Sequence, residues 1–346
     1  MRALIVHPGA DCSVSDVHDG IVKGLRENGV DARSLNSNDR LYFYIHAHVP
    51  DRNGELQPAF DELQAVHLTS AWIEREAYRF MPDVIIFVSG FFVDPGTIEF
   101  LSHRLHHLVL WCTEAPYEDD KQLAIAPLFD TVILNDPLTI DKYRAVNPRT
   151  WYLPHSYDPK LHRPGRPNKR WASDFFFVGT GFPSRVEFLE QIDFDGIDVL
   201  LGGNWQMVED SPINRWVRNP YGRKWMLNTE TVRCYRSAKV GANLYRKENT
   251  SGTEDGWAMG PREVEMAAAG LPFIRDARGE GDELLPMLPV YRDAEDFGDK
   301  LRWLLAHPDG RDNIAAAARA AIAPRTFKAT TAQLLRHLET AQALAA

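Results

Sequence analysis

Two Rossmann-like α/β halves joined by a proline-rich linker are the architecture that this 346-residue sequence predicts. Three observations carry that expectation. Short β-branched or aromatic runs alternate with helical patterns, the rhythm of parallel sheets with crossover helices. The rhythm breaks at "KLHRPGRPNKRW" (160–171) and then restarts. After the second series the chain ends in three consecutive helical patterns.

Taken in order, "ALIVH" opens the first series as a strand. It is too short for a signal-peptide core, and no later stretch approaches the roughly 20 apolar residues needed to cross a bilayer. The expected location is the cytoplasm, without membrane insertion. Further strands are read at "DARSL", "DVIIFVSG", "HLVLWCTE", "DTVILND" and "TWYLPH", with helices beginning near Ser15, Phe60, Pro95, Glu118 and Pro137. These form an N-terminal domain over 1–158, followed by a linker over 159–171. The second series runs "SDFFFVGTG", helix "SRVEFLEQI", "IDVLLGG", helix "TETVRCYRSA", "KVGANLY", helix "PREVEMAAA" and "LPFIRD". It fills a C-terminal domain over 172–325, and a last helix, 326–346, returns to the N-terminal domain. The halves are expected to face each other across a cleft, because open α/β sheets bind ligands outside the carboxyl ends of their strands.

The formal charge of −9 is unevenly placed: residues 1–160 carry 14 Lys+Arg against 23 Asp+Glu, and the remainder is balanced at 25 each. An acidic first half argues against broad binding to a phosphate backbone. The basic 160–171 tract reads as a solvated linker from its proline and glycine content. Cys12, Cys112 and Cys234 lack CxxC spacing, so neither a disulfide framework nor a zinc site is indicated. His103, His106 and His107, and the pair His46 and His48, lack carboxylates at ligand spacing and read as ordinary histidines.

Two stretches of the second half carry chemistry. In "FVGTGFPSR", Gly179 and Gly181 lie in a turn between strand and helix, where backbone N–H groups can approach a phosphate and Arg185 can add a contact; the alternative is a plain turn. In "AMGPREVEMAAAGLPFIRD", Pro261 and Glu263 suit a helix start, and Gly270 ends it. Arg262 either pairs with Glu265 at i+3 or meets an anion while Glu265 accepts from a sugar diol. "LLGGNW" ends a strand with Asn204 and Trp205, a place for a nucleobase to stack or for a buried indole. Asn243, near the end of "KVGANLY", is a further candidate for that pocket.

In the first half, the loop "HPGADCSVSDVHDG" presents Gly9, Asp11, Ser13, Asp16 and His18 at a strand end. Asp16 or His18 is a candidate general base toward an acceptor hydroxyl, with helix capping by Ser15 or Asp16 as the plainer role. Glu114 is placed to bind acceptor hydroxyls, while Glu118, Asp119 and Asp120 start a helix.

"GPREVEMAAAGLPFIRD" resembles the donor-binding segment of retaining family 4 glycosyltransferases, and more closely the R-x-F-E-x-A-x-x-G version of the spore-maturation, CgeB-like branch. Arg262 and Glu265 fall on the Arg and Glu of that motif, with Val264 at its Phe. "YLPHSYDPKLH", "FVGTGFPSRVEFLE" and "RTFKATTAQLLRHL" resemble the family's inter-domain turn, first donor-domain strand-loop-helix and closing helix. The resemblance spans about 150–340. It implies the glycosyltransferase B-type fold, no metal or other cofactor, and a nucleotide-diphospho-sugar held by Gly179, Gly181, Arg185, Asn204, Trp205, Asn243, Arg262 and Glu265. His18, Asp16 and Glu114 are then the catalytic candidates. The expected activity is hexosyl transfer to a hydroxyl of a glycan, a protein or, less favoured, a modified DNA base. A nucleotide-sugar epimerase and a non-catalytic nucleotide-sugar-binding protein are the alternatives. The family 4 E-x7-E pattern is broken, since Trp257 stands eight residues before Glu265 and Glu254 and Asp255 are out of register.

Overall fold

The computed structural model describes residues 1–9, 14–104, 106–206, 211–220, 225–248 and 256–345. Asp11, Cys12, Ser13, Glu254 and Asp255 lie outside the described residues. The chain divides into two compact units, one comprising 1–154, 250–256 and 327–346, the other 155–249 and 257–326.

The first unit is built on a six-stranded parallel sheet in the order β2-β1-β5-β6-β7-β8. Its strands are β1 (Arg2–Val6), β2 (Asp31–Leu35), β5 (Val84–Val88), β6 (His107–Cys112), β7 (Thr131–Leu134) and β8 (Thr150–Tyr152). Because strand side chains alternate faces, one core takes Ile5, Ile86, Val109 and Ile133. The opposite core takes Leu4, Ile85, Leu110 and Val132. Burial on both faces accounts for the near-continuous apolar runs of these strands. Burying each such Ile, Leu or Val stabilises the fold by roughly 1.5–3 kcal/mol.

Helices α1 (Ser15–Glu27), α3 (Glu62–Phe80), α4 (Pro95–Ser102), α5 (Asp119–Ile125) and α6 (Ile140–Val146) connect the strands. Two features escape the strand-helix reading. Helix α2 (Ser37–Ile45) and an antiparallel hairpin, β3 (His48–Pro50) with β4 (Leu56–Pro58), fill the long β2–α3 connection. Tyr42, Phe43, Val49 and Leu56 there are more than half exposed, so no apolar face announced them.

The final helix, α13 (Phe327–Ala345), packs on α1 in this unit. Glycines on α1 permit the approach: a Cβ at Gly24 would lie 2.5 Å from the Phe327 carbonyl oxygen. Asn28 ties the two, its amide donating to the Lys328 carbonyl at 2.8 Å. The closing helix thus returns to the N-terminal unit.

The second unit has a four-stranded parallel sheet in the order β10-β9-β11-β12. It comprises β9 (Ser173–Val178), β10 (Val199–Gly202), β11 (Ala238–Asn243) and β12 (Phe273–Arg275). Phe175 and Phe177 enter one core, and Phe176 enters the other. Its helices are α7 (Pro183–Glu190), α8 (Asn228–Tyr235), α9 (Pro261–Ala269), α10 (Gly279–Leu284), α11 (Ala294–Ala306) and α12 (Pro308–Ile322). The strand order reverses between β9 and β11, the topological switch point where such sheets take ligands.

The 160–171 tract is no free linker. Arg236 donates to the carbonyls of Leu161 and Arg163, both at 2.7 Å, and Trp171 is buried.

Candidate functional site

Two helices start at the switch point of the second unit, α7 after β9 and α9 beyond β11. The glycines of the β9–α7 turn are used by the fold itself. Gly179 N–H donates to the Gly202 carbonyl at 3.0 Å, and Gly181 N–H to the Asn204 carbonyl at 2.7 Å. A Cβ at Gly181 would sit 2.5 Å from the Trp205 ring, and one at Gly203 would sit 2.2 Å from the Gly179 oxygen. These glycines therefore let the two strand-end loops touch, and the phosphate cradle read from the sequence is corrected: both amides are engaged.

Arg185 staples the same turn. Its Nε donates to the Leu244 carbonyl at 2.8 Å and its Nη1 to the Thr180 carbonyl at 3.0 Å. The head of α7 already holds a carboxylate, because Glu248 accepts from Ser184 N–H at 2.9 Å and from Ser184 Oγ at 2.8 Å. Trp205 is 3% exposed, with its indole N–H donating to the Gly202 carbonyl. It is a core side chain with no ring face for a base, which corrects the stacking role. Asn204 is exposed, its side-chain oxygen accepting from Gln206 N–H at 3.2 Å.

Helix α9 differs. Gly260 caps it, and Glu263 reaches back to accept from the Gly260 N–H at 2.8 Å. Gly270 ends it in the left-handed conformation that glycine adopts without strain. Asn243, the last residue of β11, lies beside its head: a Cβ at Gly260 would lie 3.8 Å from the Asn243 amide nitrogen. That nitrogen is buried and has no hydrogen-bond partner among the described residues.

One turn on, Arg262 and Glu265 form the i+3 pair that the sequence left open, with Nη1 donating to Oε2 at 2.9 Å. The pair is more than a surface salt bridge. Glu265 is 4% exposed, accepts from Asn228 Nδ2 at 3.2 Å on Oε1, and accepts from the Tyr235 hydroxyl at 3.4 Å on Oε2. Burial works to raise the pKa of this carboxyl, yet the Arg262 guanidinium and the hydrogen bonds from Arg262 and Asn228 outweigh burial and hold it below the usual range.

Glu263 is treated oppositely two residues earlier. Burial pushes its carboxyl up to about 7 against the Tyr245 hydroxyl and Gly260 N–H that donate to it. Neighbours whose environments drive their protonation apart mark a site able to hold both a charged and a neutral carboxyl.

Sequence reasoning missed His162, Asn228, Tyr235, Tyr245 and Arg278. Arg278 is buried, with its guanidinium 3.8 Å from the Tyr245 ring centroid. Trp257 packs on α10, where a Cβ at Gly279 would lie 2.2 Å from its indole nitrogen.

In the first unit the candidates separate. His18 is on α1, not in the loop, and is 1% exposed, with Nδ1 3.1 Å from Asp19 and Nε2 3.3 Å from the Ile5 carbonyl. Buried between helix and strand, it does not present its ring to an acceptor, which corrects its role as a base. Asp16 lies in the first turn of α1, whose N-cap is Val14 rather than Ser15 or Asp16. Glu114 follows β6 and is partly buried, its backbone carbonyl accepting from Glu118 N–H at 3.2 Å. His7, unremarked in the sequence, is driven down to about 4 by burial and then by His18. Among the described residues no three His, Cys, Asp or Glu side chains gather as a metal site. No helix of the described residues is long and apolar enough to cross a membrane.

Each of the two units has a parallel sheet with crossover helices, as in the B-type glycosyltransferase fold. Residues 185–336 match the family described as "Glycosyl transferase-like". The chain is 20% identical over 246 residues to the spore protein CgeB of Bacillus subtilis (strain 168), covering 69% of this chain and 77% of that protein. Among solved structures, a sucrose-phosphate synthase from Thermosynechococcus elongatus superposes with a TM-score of 0.65 at 14% identity, covering 98% of this chain and 99% of that one. An alpha-glucosyltransferase in complex with UDP and a 13-mer DNA superposes at 0.64 with 11% identity, covering 99% of both chains. The chain has the B-type glycosyltransferase fold. Its residues 185–336 are glycosyltransferase-like and its sequence is similar to CgeB.

Proposed function

We propose that this chain moves a sugar from a nucleotide-diphospho-sugar to a hydroxyl acceptor, with the second unit as the donor side and no resident metal ion. The observation that carries the reading is the head of α9. A buried Asn243 amide nitrogen without a partner among the described residues lies beside it, and a buried, ionised Glu265 lies in its first turns against Arg262. Glu265 accepts hydrogen bonds from the ribose diol. Arg262 and the Asn243 amide meet the diphosphate and stabilise it as charge develops on the leaving group. In this reading Arg262 supplies the fixed positive charge that a metal ion would otherwise supply.

Hexoses are the first sugars to try, and a glycan or protein hydroxyl is the favoured acceptor. A modified DNA base comes third because residues 1–160 are acidic. The test is calorimetric titration with UDP-, GDP- and ADP-sugars, followed by mass spectrometry of candidate acceptors for an added hexose. The reading fails if no nucleoside diphosphate binds and if Arg262→Ala and Glu265→Ala alter nothing. Interconversion of the sugar without any acceptor would replace it with an epimerase.

A further inference from the structure

The donors around Glu265 form a chain with a fixed direction. It starts at the backbone of the turn that opens the second unit, where Asp158 N–H donates to His162 Nδ1 at 3.3 Å. An imidazole nitrogen that accepts carries no proton, so the neutral ring has its hydrogen on Nε2. That Nε2 lies 3.0 Å from Asn228 Oδ1. The Asn228 amide can then adopt one orientation only. Turned over, its N–H2 would face the His162 N–H while its oxygen faced a carboxylate, leaving two mismatched pairs in a buried site.

In the orientation that remains, Nδ2 donates to Glu265 Oε1 at 3.2 Å. His162 and Asn228 are 3% and 7% exposed, so the links are shielded from bulk solvent. At the far end Glu265 meets only donors among the described residues: Asn228 on one oxygen, Arg262 and Tyr235 on the other.

We propose that His162 and Asn228 are positioning residues that make Glu265 an obligate hydrogen-bond acceptor and aim its carboxylate at the diol of the nucleotide ribose. The proposal rests on the contact between Glu265 and the diol set out above, and it adds the cause of that carboxylate's orientation. A protonated or rotated Glu265 would offer the diol a donor where it needs an acceptor. Neither His162 nor Asn228 touches the ligand. Both act through Glu265, and their removal is felt only by ligands that carry the full diol.

The experiment compares calorimetric affinity for a nucleoside diphosphate and its 2′-deoxy counterpart, using whichever of UDP, GDP or ADP binds the intact wild-type chain best. Wild type is expected to favour the ribo form by about tenfold, the size of one hydrogen bond to a charged group. Asn228→Asp and His162→Leu are expected to erase that preference. His162→Gln, whose amide nitrogen can replace Nε2–H, is expected to keep it. Circular dichroism confirms the fold of each variant, and the two positions test the relay independently. In the wild-type chain, 15N spectra of His162 are expected to show Nδ1 without a proton.

If wild type prefers the ribo form and the Asn228 and His162 variants retain that preference, the relay is wrong while the donor reading stands. A protonated Nδ1 with bare Nε2 likewise overturns the relay. If wild type binds both forms equally, or binds none of the three, the diol contact itself falls and the proposal falls with it.

Discussion

Asp119 of the first unit and Glu265 of the second are carboxyls buried by opposite means. In the first, Asp119 is 1% exposed and burial raises its carboxyl, with Tyr143 donating to it at 2.9 Å. His7 is likewise driven toward its neutral form. In the second, Glu265 is equally hidden but held ionised by converging donors. Neutralisation is the inexpensive solution to burying a titratable group, and a paired, hydrogen-bonded charge is the demanding one. A carboxylate kept charged out of water therefore identifies the region of the molecule arranged around a purpose.

The largest expected effect tests that contrast directly. Arg262→Ala strands a buried carboxylate and is expected to lower stability by about 3–5 kcal/mol, read from urea denaturation. An unchanged midpoint would mean that Glu265 is not relying on its cation.

Glu263 comes next. Its folded pKa, about 7, lies above the ordinary 4.5, so the folded chain holds more protons than the unfolded one between those values. Its contribution to stability is largest below about pH 4.5, is lost by about 3 kcal/mol as pH rises to 7, and is flat beyond. Glu263→Gln should remove that slope, and a retained slope assigns it to other groups.

His7 slopes the other way. Its folded value of about 4 lies below the ordinary 6.5, so stability is full above 6.5 and falls as pH drops toward 4. The expected loss is about 1–2 kcal/mol, allowing for its partial exposure, and His7→Asn should flatten it. His155 of the second unit has the same sign, so the opposition is read from single substitutions, not from each unit as a whole. The smallest effect is Asp119→Asn. The amide oxygen can still accept from Tyr143, and a change in denaturation midpoint worth less than about 1 kcal/mol is expected. A cost matching that of Arg262→Ala would erase the difference between the two carboxyls.

Most strands of both sheets were legible because they are short apolar runs bounded by turn residues, as in β5 and β9. The α2 and β3–β4 segment was not, since its aromatic side chains face outward and follow no buried period. At the site, the residue types of the α9 segment were legible but their partners were not. Asn228 lies 37 residues before Glu265, and His162 lies 66 before Asn228. Nothing local marks either one. Trp205 misled for a related reason: the space it fills is made by Gly181, a position whose bareness the sequence suggested was for a ligand.

The return of α13 to α1 bears on how the chain is made. Residues Asn28 and Lys328, which touch in the finished fold, are 300 apart. At a synthesis rate of roughly 5–20 residues per second they are about 15–60 s apart in time. Until then the side of α1 and its core that receives Phe327, Leu334 and Leu338 lacks them on the ribosome. Of the two units, the one whose synthesis starts first is thus completed second.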